Sequence, residues 1–239
     1  MVVPLGDGRY FLLDTGTEMS IVFRDRIKIK SVFRKFGLIN RQRLAPIRNA
    51  KSFQIGDLLI ENFDFVHKKS RNTLWENDTT IVGIIGMDIF SKKYSYFDIE
   101  NQIITFSSER KNQIELPSFV FFYKSPIRPL SNLCINGIVF ENVLFDTGFN
   151  SFLDLLETDK EVLNLQILAE KTMMQDILNN LRSAYRKTPD FIKINNVRFD
   201  TPTIIYSKPR HPRLLGMGFV RHWSSFLIDP FERKIEFYL

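Results

Sequence analysis

The chain has 239 residues, 44% of them hydrophobic and 25% charged, so it can bury the core of one large domain or of two smaller ones of about a hundred residues each. Its single cysteine, Cys134, excludes an internal disulfide and any cysteine metal cluster, and no apolar run reaches the roughly 20 residues of a membrane-spanning helix. Lys and Arg (33) exceed Asp and Glu (27) by six, which suits an acidic partner, but no nucleic-acid motif accompanies the excess, so neither nucleic acid nor membrane is expected as a partner.

In chain order, MVVPLGDGRYF lacks the basic and long apolar segments of a secretory signal. The chain therefore carries no address: it is cytoplasmic as written, or exported if an upstream segment is missing. Gly6 to Arg9 (GDGR) reads as a hairpin turn feeding an apolar strand that ends in Asp14-Thr15-Gly16, within FLLDTGTEMSIV. FRDRIKIKSVFRKF, Phe23 to Phe36, alternates basic residues and then turns to helical spacing; it reads as a solvated face that could favour acidic peptides. FQIGDLLIENFDFV, Phe53 to Val66, reads as a hairpin about Gly56. IVGIIGMDIF contains Ile84-Ile85-Gly86, FDIENQIITF ends at Phe106, and the polar SSERKNQIELPS, closed by Pro117, reads as a joint.

The second half repeats these landmarks. An Ile135-Asn136-Gly137 turn leads into VLFDTGFNSFLDL, whose Asp146 lies 132 residues after Asp14. RLLGMGFV around Gly216 follows Gly86 by 130 residues, and IDPFERKIEF, ending at Phe237, follows Phe106 by 131. Between them, IKINNVRFDTPTIIY (Ile192 to Tyr206) reads as another hairpin. Asp159 to Lys187 differs: Met173, Ile177, Leu181 and Tyr185 recur at helical spacing, which predicts a helix packed on the core. Three landmarks in one order at one spacing imply two similar lobes, residues 1–112 and 118–239, each built of short strands.

An Asp at the end of an apolar strand, followed by Thr and Gly, marks a tight turn out of a sheet. One copy is an ordinary turn. Two copies in a pseudo-symmetric chain can bring Asp14 and Asp146 face to face, where two carboxylates cannot both ionise cheaply and share a proton as an acid and base pair. His67, His211 and His222 have no metal-ligand spacing, and no nucleophile elbow accompanies them. Asn77-Asp78-Thr79 fits a glycosylation sequon, a triplet common by chance.

LLDTGT (Leu12 to Thr17) and LFDTGF (Leu144 to Phe149), each followed about seventy residues later by Ile84-Ile85-Gly86 or Leu214-Leu215-Gly216, resemble the pepsin and retropepsin type of aspartic proteases over nearly the whole chain. Lobe size and spacing resemble bacterial retropepsin-like proteins fused in tandem. The resemblance implies an all-β, bilobal acid-protease fold of two pseudo-symmetric retropepsin-like lobes, with a helical insertion in the second. It implies an endopeptidase in which Asp14 and Asp146 activate water, Thr15 and Thr147 exchange hydrogen bonds between lobes, and Gly16 and Gly148 let backbone amides approach the carboxylates. Thr17 would supply a hydroxyl beside Asp14, and Ile85-Gly86 and Leu215-Gly216 would support the two loops. No metal or organic cofactor is implied, the partner is a peptide or protein substrate, and a monomer is expected because both lobes lie in one chain. Phe149 stands where the family has Ser, Thr or Ala and is a candidate for a substrate pocket. The flap segment, Arg41 to Ile55, has no tyrosine, and the helix expected in lobe two occupies the place of its flap, so a single flap or none is expected. The alternative is a catalytically weak or inactive relative that binds extended peptides in the same groove.

Overall fold

The computed structural model describes residues 1–39, 43–55, 58–71, 73–111, 115–159, 163, 170–175, 181–208 and 212–239. The chain is almost entirely β. Strands β1 (Val2–Pro4), β2 (Tyr10–Leu13), β3 (Ile21–Phe23), β4 (Val32–Ile39), β5 (Arg43–Ile55), β6 (Leu58–Lys68) and β7 (Ile81–Ile85) form a seven-stranded sheet in the order β1-β2-β7-β3-β6-β5-β4. Next come β8 (Tyr94–Asp98), β9 (Ile103–Ser107) and β10 (Phe119–Phe122). A nine-stranded sheet then follows from β11 (Leu130–Ile135), β12 (Ile138–Phe145), β13 (Leu153–Leu156), β14 (Glu170–Gln175), β15 (Leu181–Lys187), β16 (Phe191–Ile194), β17 (Val197–Asp200), β18 (Ile204–Ser207) and β19 (Arg213–Leu215). The chain ends in β20 (Ser225–Asp229) and β21 (Lys234–Tyr238). No helix among the described residues is long and apolar enough to cross a membrane.

The sequence repeat reappears as a repeat of strand pairing. β2 runs parallel to β7, β3 antiparallel to β7 and parallel to β6. In the second half β12 runs parallel to β19, β13 antiparallel to β19 and parallel to β18. The continuous apolar run IVGII is buried at all five positions of β7 because that strand lies between two others with both faces covered. Turn chemistry sets the hairpins: Asn136 and Gly137 take φ of 50° and 84° between β11 and β12, and Asn195 and Asn196 take 46° and 71° between β16 and β17, the left-handed pair that a two-residue hairpin turn requires. The turn about Gly56 lies outside the described residues, though Ile55 pairs with Leu58 across it.

A third sheet, β10-β21-β20-β8-β9, takes strands from both halves. β20 pairs antiparallel with β8, and the rings of Phe226 and Phe97 stack at 4.1 Å between centroids on this junction. One hydrophobic core runs from Phe11 and Phe65 through Phe97 and Phe226 to Phe145 and Phe219, so the halves are locked together by apolar burial as well as by hydrogen bonds.

Two expectations are corrected. The helix expected over Asp159 to Lys187 is met only at its start, where Asp159 is helical and Leu163 N donates to Asp159 O at 3.2 Å; Glu170 to Lys187 is a hairpin over its described part, β14 pairing with β15. Spacing of four residues places side chains on one face of a strand as well as of a helix, so the stripe could not distinguish them. The hydrogen-bonding partner decides: β15 finds β18 (Ala184 opposite Ser207), and Met173 and Leu181 are exposed instead of packing on the core. Ile177 lies outside the described residues. The helical turn expected before Phe36 is likewise strand β4. A bulge between Phe33 and Lys35 puts Phe33 opposite Arg48 and Phe36 opposite Pro46, so residues three apart share a face and their rings meet at 5.4 Å. Hairpins β4–β5 and β14–β15 thus hold corresponding places in the pairing order of the two halves.

Candidate active site

The two Asp-Thr-Gly loops begin where β2 and β12 end. Each aspartate continues its strand by one backbone bond: Asp14 N donates to Ile85 O at 3.0 Å and Asp146 N to Leu215 O at 2.9 Å. Each loop then folds back, with Thr17 N donating to Asp14 O and Phe149 N to Asp146 O. The apolar-apolar-glycine segments pass directly beside them. Met87 N donates to Thr17 O at 2.8 Å and Met217 N to Phe149 O at 2.7 Å. A Cβ at Gly86 would lie 2.6 Å from Thr17 O, and one at Gly216 only 2.4 Å from Phe149 O, so both positions exclude a side chain.

The loops grip each other through their threonines. Thr15 N donates to Thr147 Oγ1 and Thr147 N to Thr15 Oγ1, both at 3.1 Å; Thr15 Oγ1 donates to Phe145 O at 2.7 Å and Thr147 Oγ1 to Leu13 O at 3.0 Å. Both threonines are buried. Thr15→Val would leave the Thr147 N–H and the Phe145 carbonyl without partners. At about 1–3 kcal/mol for each such group, a loss of about 2–5 kcal/mol is expected in urea unfolding, while Thr15→Ser should restore most of it. Thr147→Val should cost a similar amount, and the double variant less than the sum, because both remove one grip.

This grip sets the carboxylates opposite one another. A Cβ at Gly16 would stand 2.5 Å from Asp146 Cγ and one at Gly148 would stand 2.8 Å from Asp14 Cγ, so each carboxylate rests on the glycine of the other loop. Asp14 Oδ1 accepts from Gly16 N (2.8 Å) and Thr17 N (3.1 Å), and Asp14 Oδ2 accepts from Thr17 Oγ1 (2.8 Å). Asp146 Oδ1 accepts from Gly148 N at 2.8 Å, and residue 149 offers no hydroxyl. Burial, followed by the Asp14 charge and a side-chain hydrogen bond to Asp14, holds the Asp146 carboxyl well above the usual carboxylate range. Asp146 keeps some exposure to solvent while protein atoms surround most of it. Phe149 is half-buried, with ring Cδ1 2.5 Å from where a Gly216 Cβ would be, so the ring packs against the supporting segment.

Sequence reasoning missed two members of the first loop. Asp88 Oδ1 accepts from Ser20 N (2.9 Å) and Ser20 Oγ (2.8 Å), while Ser20 Oγ accepts from Gly86 N (3.1 Å). Burial pushes the Asp88 carboxyl up to about 6. The signal was the difference between GMDIF and GMGFV: Gly218 stands two residues after Gly216, as Asp88 does after Gly86. A Cβ at Gly218 would lie 2.5 Å from Phe152 N, and there Gly216 N donates to Phe152 O, so backbone alone braces the second loop.

Among the described residues, no three His, Cys, Asp or Glu side chains gather into a group able to hold a metal. His67 packs edge-on to Phe65, His222 against Phe152 and Phe199, and His211 lies outside the described residues. A pocket of about 560 Å³ between Asp25-Arg26 and Lys69-Arg71 has neither Asp14 nor Asp146 in its lining.

No family model matches the chain, and no curated protein matches it. Among solved structures the chain is similar to a retropepsin-like aspartic protease from Rickettsia conorii, with a TM-score of 0.41 and 19% identity over 50% of this chain and 89% of that one.

Proposed function

We propose that the chain is an aspartic endopeptidase that hydrolyses peptide bonds with a water activated between Asp14 and Asp146. The observation that carries this reading is the reciprocal seating of the carboxylates, each on the other loop's glycine. Asp14, which accepts from three donors, takes a proton from water as the oxygen attacks the scissile carbonyl carbon; Asp146 gives its proton to the carbonyl oxygen. The resulting gem-diol collapses as a proton passes to the leaving nitrogen and the C–N bond breaks, returning the shared proton to the pair. Lobes of residues 1–112 and 118–239 in a single monomer would supply one aspartate each, and the substrate is an extended peptide or protein.

Because water attacks directly, cleavage in H₂¹⁸O with hydroxylamine present should put one label into each new carboxylate and yield no hydroxamate. Hydroxamate formation would reveal an acyl-enzyme and overturn the mechanism.

Phe149 favours a second reading, a peptide binder of low activity, because it replaces a hydroxyl that could tune Asp146. The influence of position 149 on Asp146 is tested by Phe149→Thr. A hydroxyl there would donate to ionised Asp146 and lower its proton affinity. The reactive form needs Asp146 protonated, so the alkaline limb of kcat/KM should move to lower pH, in a protein whose circular dichroism is unchanged. A limb that stays in place or climbs would leave Phe149 as a packing residue.

A further inference from the structure

The positive charge of this chain is concentrated in one segment. Between Arg24 and Lys51 the sequence holds ten Lys or Arg against a single acidic residue, Asp25, a local excess of nine in a chain whose total is +6. The remainder is therefore net negative. Two carboxylates in this region are already engaged: Asp25 accepts from Ser70 N and Oγ, and Asp64 accepts from Asn49 Nδ2 with Arg34 at 3.4 Å. Burial together with the Arg48 and Arg24 charges holds the His67 imidazole below its usual range, which reports the sign of the local field.

This segment contains β4, the edge of the seven-stranded sheet, which pairs among the described residues with β5 alone. All residues from Val32 to Phe36 are exposed, so one row of backbone N–H and C=O groups faces outward. Natural edge strands are blunted by charge against pairing with copies of themselves; Arg34 and Lys35 stand on this edge, and Lys28 and Lys30 precede it. The same charges leave the edge open to a strand of opposite sign. The bulge at Arg34 adds an apolar contact point, because Phe33 and Phe36 meet on one face while remaining more than half exposed.

We propose that the outer edge of β4 is a docking site for an extended, acidic peptide segment, which adds to the sheet as a further antiparallel or parallel strand and sets one apolar side chain against Phe33 and Phe36. Backbone hydrogen bonds supply the affinity, and the basic side chains choose an acidic strand over a neutral one. A peptide is favoured over a nucleic acid because the feature exposed is a row of backbone donors and acceptors, which a phosphodiester chain cannot match as a ladder. This site goes beyond the proposed hydrolysis and does not depend on it.

The test is fluorescence anisotropy of the full chain with a labelled ten-residue peptide alternating Asp or Glu with Val or Leu, its mass checked afterwards to show that it stayed whole. Binding should weaken at least tenfold in a Lys28→Glu, Lys30→Glu, Lys35→Glu variant, whose three side chains are exposed, and at least tenfold between 50 and 300 mM NaCl. A peptide N-methylated at alternate residues, with the same charge but half the donors, should also bind at least tenfold more weakly. Hydrolysis of a neutral peptide should be the same in the variant and the native chain, so failure here and failure of the proposed activity are read separately. Equal binding by the charge-reversed variant, or by the N-methylated peptide, overturns the proposal. So does displacement of the peptide by a ten-nucleotide single strand at lower concentration, which would make the edge a nucleic-acid surface. Concentration-dependent self-association that the variant abolishes would assign the edge to a second copy and overturn it equally.

Discussion

Asp14→Asn and Asp146→Asn are each expected to lower kcat by about 10³-fold or more, and the double variant should be little worse than either. In the proposed mechanism the two carboxylates act on one water and one proton, so removing either leaves no acid and base pair, and effects of groups that act as a unit do not add. The structure makes the substitutions nearly isosteric. An asparagine at position 14 could still accept at Oδ1 from Gly16 N and Thr17 N, and one at position 146 could still accept from Gly148 N. The Thr15–Thr147 grip does not involve either carboxylate, so thermal unfolding should survive both changes. A single variant that keeps a tenth of the native rate would rule out a shared-proton mechanism.

Gly16→Ala is expected to lower kcat by roughly 10²-fold or more without removing any titratable group. Its backbone φ lies outside the left-handed region, so alanine is not strained there by conformation. The obstacle is contact: a Cβ would lie 2.5 Å from both Asp146 Cγ and Oδ2. Relieving it means moving the loops apart against the threonine grip, and a displacement of about 1 Å at a reacting pair is enough for such a loss. Gly148→Ala, with its nearest contact at 2.8 Å, should follow in the same direction but less severely. Gly137→Ala is the control with the opposite profile. Its φ of 84° forces strain, nothing lies within 4 Å, and it should cost about 1 kcal/mol of stability with kcat unchanged. If Gly16→Ala and Gly137→Ala behave alike in kcat, the seating of Asp146 on Gly16 has no part in the chemistry.

The geometry of the loops was legible because it is written in residue types that have few substitutes. Gly16 and Gly148 lie under opposing carboxylates, Gly86 and Gly216 lie under backbone oxygens, and Thr15 and Thr147 supply the hydroxyls that cross between loops. The hairpins were legible where Asn and Gly fix a left-handed turn, as at Asn136-Gly137. What escaped were features decided by a distant partner. β14 and β15 look helical because spacing of four residues serves both periods, and only the β15–β18 pairing settles the matter. Phe33 and Phe36 look helical because a bulge at Arg34 shifts the alternation by one residue. Asp88 escaped because its part depends on Ser20, which lies 68 residues away.

The most direct measurement of the central claim is cleavage of a mixed peptide library, read by mass spectrometry from pH 3 to pH 8, with and without a statine-type transition-state mimic, for the native chain and for Asp14→Asn in parallel. The account requires new peptide termini from the native chain over a bounded pH range, with an alkaline limit set by loss of the proton shared with Asp146. Those termini should be suppressed by the mimic, be unaffected by a metal chelator and be missing from the Asp14→Asn digest. New termini of equal yield from both proteins, or none from the native chain at any pH, would contradict it.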